Sequence, residues 1–316
     1  LIKTPLFALG RLLAFLPSGF QAMELVGAAG VATALVAVLA ALSQKDAKRL
    51  LAYHSISQIG YIVAAWGLGT PEGLSAAYLH ALNHALFKGL LFLSVGTITD
   101  AAGTRDVYTL RNAAAALVRT GDRRLTVAAA YAIGALSISA IPPLNGYASK
   151  NAITYLFKGR WEHWVLFAAG ACTVASFLKL SMMFLPAKRE GAEPAAATDP
   201  AAEKHGGFRI RASMKVAIIA LAALCVATGL SAGWLRGFAG RLLGAAPVPG
   251  PLYGASDLAK TGTTVALGIA VFSLAISKPG KRLAALVRQR PRSFAGLVLA
   301  FVSGLAAVGA RLVLFP

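Results

Sequence analysis

One stretch of the sequence, residues 124–158, constrains the fold more than any other. If these 35 residues formed one straight helix, it would extend roughly 52 Å, whereas the hydrocarbon core of a bilayer is about 30 Å thick. Such a helix must tilt steeply or break. Pro142 and Pro143 lack a backbone donor, and Asn145-Gly146 readily adopts positive φ, so we predict two half-helices joined by an interruption.

The predicted interruption is followed by Lys150, eight residues before Lys158 at the expected membrane surface. A helix spans that separation in roughly 12 Å, which places the ammonium near the midplane. A charge there costs about 2.5–3.5 kcal/mol on insertion scales. Because an interrupted helix at membrane depth usually lines a cavity for ions or substrates, Lys150 is predicted to take part in ion transfer. Snorkelling of its side chain to the nearer surface is the alternative.

The composition predicts a polytopic helical membrane protein. Apolar residues make up 57% of the chain, whereas soluble domains contain about 45–50%, and the mean hydropathy is +0.66. The fold class is therefore all-α, a membrane helical bundle with one discontinuous helix. We predict nine spans, of which the fifth is the stretch 124–158. The others lie near residues 1–16, 22–43, 51–68, 72–99, 161–186, 214–234, 260–277 and 293–315.

The basic residues predict how the spans are oriented. The formal charge is +19, but 20 of the 31 Lys and Arg residues lie in the loops near 45–49, 105–124, 188–215 and 278–292, against six in the alternate loops. By the positive-inside rule the first set faces the cytoplasm. Orientation in a membrane explains this charge, so no nucleic-acid partner is predicted. The expected location is a prokaryotic plasma membrane.

A second stretch, in the predicted span 72–99, carries protonatable side chains in register. His80, His84 and Lys88 recur every four residues, so they project from nearly the same face of a helix. Three such groups in an apolar span predict a proton relay rather than satisfied core residues. The HxxxH pair could also bind zinc, but no third carboxylate or thiolate ligand is nearby in sequence, so no metal is predicted.

Two further lysines are candidates for the same relay. Lys3 lies in the apolar run 1–16, and Lys179 lies about seven residues from the inner end of the span 161–186. The central position of Lys3 could also result from where the sequence begins. Lys179 is close enough to the membrane surface to serve as an anchor instead, so both roles stay open.

The third predicted span has a polar face that we assign to packing. Ser55, Ser57 and Gln58 are expected to form hydrogen bonds between helices, as small polar residues do in membranes. His54, at the start of this span, is expected at the surface.

Carboxylates that would balance the lysines do not occur deep in any predicted span. Asp46, Asp100 and Asp106, for example, lie at helix ends. We therefore expect the counter-charge to come from a preceding part of the polypeptide or from a neighbouring subunit. No catalytic residue and no cofactor is predicted. Cys172 and Cys225 lack metal or iron–sulfur spacing, and neither a dinucleotide fingerprint nor a nucleophile elbow occurs.

Three motifs resemble one family of membrane proteins. The runs DAKRLLAYHSISQIGY (46–61), HALNHALFKGLLFL (80–93) and ALSISAIPPLNGYASK (135–150) are similar to antiporter-like, proton-translocating membrane subunits. Such subunits belong to respiratory complex I, Mrp-type multisubunit sodium/proton antiporters and membrane-bound hydrogenases. The likeness covers residues 1 to about 186, with the motifs in the family's order.

The resemblance implies two inverted five-helix repeats, each with an interrupted helix that bears a lysine or a glutamate. It implies that this chain holds the end of the first repeat and all of the second. It also implies roles for the candidate residues. Lys3 would be the bridging lysine, His80, His84 and Lys88 the central relay, and Lys150 the lysine of the outward half-channel.

Two departures limit what the resemblance implies. The glutamate and lysine pair of the first repeat is not in this sequence, so the fragment is not expected to pump alone, and Asn151 stands where some relatives carry an acid. No tail segment matches the long lateral helix of complex I, which favours the Mrp-type and hydrogenase-type relatives. The expected domains are an antiporter-like region (1–186), a flexible loop (187–213) and C-terminal membrane helices (214–316).

The functional hypothesis is a proton-translocating subunit of a multisubunit membrane complex, with coupling to Na⁺ left open. The alternative is a structural membrane subunit that scaffolds a redox complex and has no transport of its own. A carrier of organic solutes would also use an interrupted helix, but a series of protonatable side chains favours protons over larger solutes.

Overall fold

The computed structural model describes residues 3–13, 21–187, 209–242, 250 and 252–290. A 3₁₀ turn at Met182–Phe184 follows the eighth helix. The α-helices are α1 (Lys3–Leu13), α2 (Gln21–Ser43), α3 (Ala47–Trp66), α4 (Pro71–Ala102), α5 (Ala113–Arg119), α6 (Thr126–Ile138), α7 (Asn145–Leu156), α8 (Trp161–Ser181), α9 (Ala212–Leu230), α10 (Ala232–Leu242), α11 (Ala255–Ile276) and α12 (Lys278–Gln289).

Five helices of the described part are long and apolar enough to cross a membrane. They are α2 from Met23 onward, α4, α8 together with its 3₁₀ turn, α9 and α11, and α6 is a shorter apolar helix. The prediction of an all-α membrane bundle with one discontinuous helix is confirmed. The predicted span 293–315 and residues 188–208 of the predicted loop 187–213 lie outside the described residues.

Some helix bounds differ from the sequence-based expectation. Helix α3 begins at Ala47 rather than near residue 51, because the side chain of Asp46 accepts a hydrogen bond from the Arg49 amide (2.8 Å) and caps the helix. The segment 100–124, expected to be a polar loop, contains α5. The span expected at 214–234 is divided, because α9 ends at Leu230 and α10 follows.

Helices α2 and α3 pack with their backbones in close contact. Gly30 and Gly60 face each other, and a Cβ atom added at either one would collide with the backbone of the other helix. The hydroxyl of Ser57 donates a hydrogen bond across the pair to the carbonyl of Ala34 (2.8 Å). Ser57 therefore forms the expected helix-to-helix hydrogen bond, and the close approach fixes the register of α3.

The discontinuous helix is interrupted between Ile138, the last residue of α6, and Asn145, the first of α7. Pro142 and Pro143 lie in the interruption, as expected. Within the interruption, Ala140 has a left-handed backbone conformation (φ 58°). The interruption is held to α4, because the side-chain amide of Asn83 donates a hydrogen bond to the Asn145 carbonyl (3.0 Å).

Gly146 has a different role from the one expected. It does not have positive φ but lies in the first turn of α7, where its amide donates a hydrogen bond to the Ser137 hydroxyl (3.2 Å). That hydroxyl also donates to the side-chain oxygen of Asn145. A Cβ atom at position 146 would collide with the Ser137 carbonyl. Glycine is therefore required by close approach of the two half-helices rather than by backbone dihedrals.

The basic loops meet at one end of the bundle, which we call the basic end. The segments around Lys45 and Arg105 are joined by two backbone hydrogen bonds of 2.9 and 2.8 Å. The Ile210 amide donates to the Thr120 carbonyl (3.1 Å), and the Arg288 guanidinium donates to the Ser43 carbonyl. The loops that the positive-inside rule groups together therefore share one end of the structure.

Helix α11 runs parallel to α8, which places its start at the opposite end, called here the far end. Gly170 of α8 lies beside Thr264, and Val174 lies beside Gly268, so residue numbers rise together along the two helices. Because α8 leads into Leu185, whose carbonyl accepts from the Asn112 amide at the basic end (3.1 Å), Trp161 begins α8 at the far end.

We predict that Gly146→Ala destabilises the protein. The added methyl group must separate the two half-helices, and overpacking of this kind costs about 1–3 kcal/mol of unfolding free energy. Thermal denaturation of the purified protein in detergent measures the effect. Gly96→Ala is the matched control, because a Cβ at Gly96 meets nothing within 4 Å. Equal denaturation midpoints for the two variants would contradict the prediction.

Candidate functional site

The protonatable stripe of α4 lies inside the bundle. His80, His84 and Lys88 are all buried, at 0%, 2% and 5% exposure. The imidazole rings of His80 and His84 are nearly parallel, with centroids 6.4 Å apart. The structure thus brings together the three side chains that the four-residue spacing placed on one face.

His80 connects α4 to two other helices. Its Nδ1 lies 2.9 Å from the Ser149 hydroxyl of α7, and its Nε2 lies 3.1 Å from Oε1 of Gln58 on α3. Gln58 therefore bonds between helices, as expected, but its partner is a candidate relay residue. Because Ser149 precedes Lys150, His80 marks the point where the α4 stripe meets the interrupted helix.

Lys88 lies at the other end of the stripe. Its ammonium donates a hydrogen bond to the Leu51 carbonyl of α3 (2.5 Å) and lies 5.4 Å from the centroid of the Phe92 ring. A carbonyl dipole and an aromatic face both stabilise a cation without a negative charge. The buried ammonium is therefore solvated by the protein itself.

His54 was expected at the surface, and this expectation is wrong. Its exposure is 0%, because α3 begins before it and buries it against α8, where its ring lies 4.9 Å from that of Phe177. Neither ring nitrogen has a hydrogen-bond partner among the residues that the structure describes. The ammonium groups of Lys88 and Lys150 are both within electrostatic range of the ring.

His54 belongs to a second polar stripe, on the face of α3 that packs against α4. His54, Gln58 and Tyr61 follow one another at spacings of four and three residues, which places them on one face of the helix. The contacts from Leu51 to Lys88 and from Gln58 to His80 bracket His54. Since α3 and α4 run antiparallel, this register puts His54 across from His84. The four-and-three spacing of the α3 stripe was the sequence signal for it.

Lys150 lies in the second turn of α7 and is 5% exposed. Its ammonium donates to the carbonyl of Ile138 (3.4 Å), the last residue of α6, and lies 4.7 Å from the centroid of the Tyr61 ring. In a continuous helix that carbonyl would accept from residue 142, but Pro142 has no amide hydrogen. The interruption therefore supplies an acceptor for the buried lysine, at the negative end of the α6 dipole.

A cavity of about 70 Å³ adjoins Lys150 and leads toward the far end. Its lining combines apolar surface with hydroxyl groups, an imidazole and three charged side chains, and these polar groups can bind water. The lining residues that carry polar side chains are Tyr61, Ser139, Tyr147, Lys150, Asn151, Thr154, His163, Asp257, Lys260, Thr261 and Thr264.

Asp257 is a buried carboxylate that the sequence analysis did not identify. It lies in the first turn of α11, is 2% exposed and lines the cavity with Lys150. Its Oδ1 lies 3.8 Å from the Lys260 ammonium, and its Oδ2 has no hydrogen-bond partner among the described residues. Asp257 therefore lies beside Lys260 and not in an ion pair with Lys150, and the expectation that the counter-charge of the buried lysines comes from outside this sequence stays a prediction.

The structure describes the side chain of Lys179 but not that of Lys3. The Lys179 ammonium donates to the carbonyls of Leu42 (2.8 Å) and Gln44 (2.6 Å) at the end of α2, and it lies 4.9 Å from the Tyr108 ring centroid. These contacts are typical of a helix C-terminal cap. The backbone of Lys3 begins α1, but its side chain lies outside the described part of the structure.

The described residues contain no group of three His, Cys, Asp or Glu side chains arranged to bind a metal ion. A helical membrane bundle with an interrupted helix, a buried lysine at the interruption and a protonatable stripe beside it defines an antiporter-like membrane subunit. Residues 1–178 match the protein family described as NADH:quinone oxidoreductase/Mrp antiporter, TM. The chain belongs to this family, as the three motifs predicted.

Individual relatives agree with this assignment. Hydrogenase-4 component B of Escherichia coli K12 is 36% identical over 236 residues, which are 67% of this chain and 32% of the relative. The Mrp complex of a Dietzia species has a subunit with a TM-score of 0.63 and 22% identity, over 82% of this chain and 52% of that subunit. A membrane-bound sulfane sulfur reductase, an archaeal respiratory membrane complex, has a subunit with a TM-score of 0.59 and 26% sequence identity. The similarity covers 81% of this chain and 41% of that subunit. The chain spans about a third of the length of its hydrogenase relative.

We predict that Lys179→Met lowers stability and that Lys179→Arg largely retains it. Methionine removes the donor to the carbonyls at the end of α2, and hydrogen bonds from charged groups are worth about 1.5–3 kcal/mol each. Thermal denaturation in detergent is the measurement, and Lys45→Met, at an exposed position in the same region, is the control. If Lys179→Met matches the control, the lysine does not cap α2.

Proposed function

We propose that this chain is the proton-translocating, antiporter-like part of a membrane subunit, and that His80, His84, Lys88 and Lys150 carry the protons. One observation supports this most directly. The α4 stripe reaches from Lys88 to His80, and His80 bonds to the residue next to Lys150. Protonatable groups thus extend between the two lysines through the interior of the bundle.

The arrangement supports transfer in short steps. Histidine accepts a proton at one ring nitrogen and releases one from the other, and the contacts of His80 show that both of its nitrogens are within hydrogen-bond distance of polar groups. The ring centroids of His80 and His84 are 6.4 Å apart, and in this proposal water carries the proton between the two rings. Groups on α3, including His54, provide further partners along the same route.

The environment of Lys150 supports a group that can lose its proton. Burial in a protein disfavours the charged form of a lysine unless a charge or a dipole compensates. No carboxylate of the described residues makes an ion pair with Lys150, and a neutral carbonyl and a ring hold the ammonium instead. Loss of the proton leaves no uncompensated negative charge behind, which lowers the cost of transfer.

The relatives support a place in a multisubunit complex. Two of the structurally similar proteins are described as complexes, one of them as a respiratory membrane complex, and the chain corresponds to part of its relatives' length. We therefore propose that the chain acts with other membrane subunits in a prokaryotic plasma membrane, and that any redox chemistry lies on other chains. The transported ion is proposed to be H⁺, and omission of Na⁺ from the transport assay tests for sodium coupling.

We predict that Lys150→Ala and Lys88→Ala each abolish proton transport by the intact complex in proteoliposomes while assembly is retained. Each change removes a buried group that no neighbouring side chain can replace. A pH-sensitive dye inside the vesicles measures the flux, and Lys158→Ala, at an exposed position just after α7, is the control. Unchanged flux, or tolerance of Leu at positions 80, 84 and 88, would instead support a structural scaffold without transport.

We predict that His54→Phe reduces proton flux at least tenfold but does not lower thermal stability. Phenylalanine keeps the ring packed on Phe177 and removes two buried nitrogens that have no described hydrogen-bond partner, so the described structure loses no hydrogen bond. Flux and thermal denaturation are measured on the same preparation, with Tyr53→Phe as the neighbouring control. Normal flux in the His54 variant would assign this residue to packing alone.

A further inference from the structure

We propose that Asp257 is the last proton acceptor on the way out of the protein. In this proposal its carboxylate receives protons from Lys150 through water in the cavity and releases them beside Lys260 at the far end. The inference rests on the proposed proton translocation and adds the residue through which the outward half of the route ends.

The carboxylate of Asp257 is placed in an unusual way for a helix-start acid. It is 2% exposed, and its Oδ2 has no hydrogen-bond partner among the residues described. Its Oδ1 lies 3.8 Å from the Lys260 ammonium, beyond hydrogen-bond distance. A buried carboxylate with a vacant acceptor atom is costly unless water or a proton satisfies it.

Asp122 shows what a structural acid looks like in this protein. It is also buried near a helix start, and its Oδ1 lies 3.6 Å from the Lys215 ammonium and, like Oδ2 of Asp257, has no hydrogen-bond partner among the described residues. Its Oδ2, however, accepts a hydrogen bond from the Val127 amide (2.8 Å) and so caps α6. Oδ2 of Asp257 accepts no such bond from the start of α11 in the described structure. Helix capping therefore does not explain Asp257.

The cavity connects Asp257 with Lys150. Both side chains line it, and its 70 Å³ exceed the roughly 10–15 Å³ that one water molecule requires. Hydroxyl groups of Thr154, Thr261 and Thr264 line the same space and can hold such water. The two residues can therefore exchange a proton without direct contact.

The position of Asp257 at the far end of the bundle is the one expected of a residue through which protons leave the protein. It lies two residues after the start of α11, which the parallel packing on α8 places at the far end. The side chain of Lys260 is 40% exposed, so the position next to the carboxylate lies at the surface of the protein. Lys150, in contrast, is buried at the interruption.

The charges around Asp257 favour rapid passage of a proton rather than storage. Positive groups come from α10 and its own helix, namely Arg236 and Lys260, and the side chains of His163, Tyr147 and Tyr253 also face this region. When the carboxylate accepts a proton, these cations lose their negative neighbour. Release of the proton to outside water restores it.

The transfer balances as two proton exchanges. The Lys150 ammonium gives a proton through cavity water to the Asp257 carboxylate, which leaves a neutral amine and a carboxylic acid. The carboxylic acid then gives its proton to water at the far end, and the relay protonates the amine again. No electron transfer and no co-reactant is involved.

The test compares Asp257→Asn, Asp257→Glu and Asp122→Asn in the intact complex reconstituted into proteoliposomes. We expect Asp257→Asn to lower proton flux at least tenfold, Asp257→Glu to restore most of it, and Asp122→Asn to leave flux per assembled complex unchanged. Flux in Asp257→Asn equal to that of Asp122→Asn would overturn the proposal. Lys150→Ala in the same assay tests the proposed function separately, because loss of flux in that variant with normal flux in Asp257→Asn would overturn the exit alone.

A labelling experiment covers the case in which Asp257→Asn fails to assemble. Asp257→Cys is prepared after Cys172 and Cys225, which are buried, are replaced by serine. We expect a membrane-impermeant thiol reagent to label position 257 from the non-cytoplasmic side and to lower the remaining flux. Labelling from the cytoplasmic side only, or none from either side, would show that position 257 is not on an outward path.

Discussion

The structure depends on two prolines that free backbone carbonyls inside a membrane bundle. Pro142 and Pro143 cannot supply the amide hydrogens that Ile138 and Ser139 would use in a continuous helix. An unsatisfied carbonyl in lipid is costly, and so is an isolated ammonium, but here the Lys150 ammonium donates to the Ile138 carbonyl. The ammonium satisfies the carbonyl, and the carbonyl stabilises the buried ammonium. The interruption of the helix and the buried lysine therefore depend on each other.

The same type of contact recurs at the other buried lysines. Lys88, Lys150 and Lys179 each donate to main-chain carbonyls and each lie within 5.4 Å of an aromatic ring centroid. Carbonyls and rings attract a cation less strongly than a carboxylate does, and they are neutral when the cation is lost. A bundle built in this way can hold ammonium groups in its interior and still let them change protonation state, which a set of tight buried ion pairs would resist.

The sequence predicted features that repeat locally and missed those that depend on packing between distant segments. The four-residue spacing placed His80, His84 and Lys88 on one face, and the prolines predicted the interruption. The stripe from His54 to Tyr61 is equally regular, but the sequence did not identify it as one unit. His54 was expected at the surface and Gln58 in helix packing, because the start of α3 was predicted near residue 51. Asp257 could not be identified, since its burial results from α11 lying along α8. These differences concern tertiary contacts, which periodicity does not report.

The two ends of the bundle are built differently, and this difference would give the proposed proton route a direction. At the basic end, backbone hydrogen bonds join the segment around Lys45 to the segment around Arg105, and Thr120 to Ile210, so the polypeptide itself covers that end. At the far end, residues of α7, α8 and α11, several of them with hydroxyl groups, surround a cavity that begins at Lys150. Because His80 contacts the residue before Lys150, a shift of α7 changes the inner contact and the cavity wall together. The interrupted helix is therefore the element through which the inner relay and the outward path can affect each other.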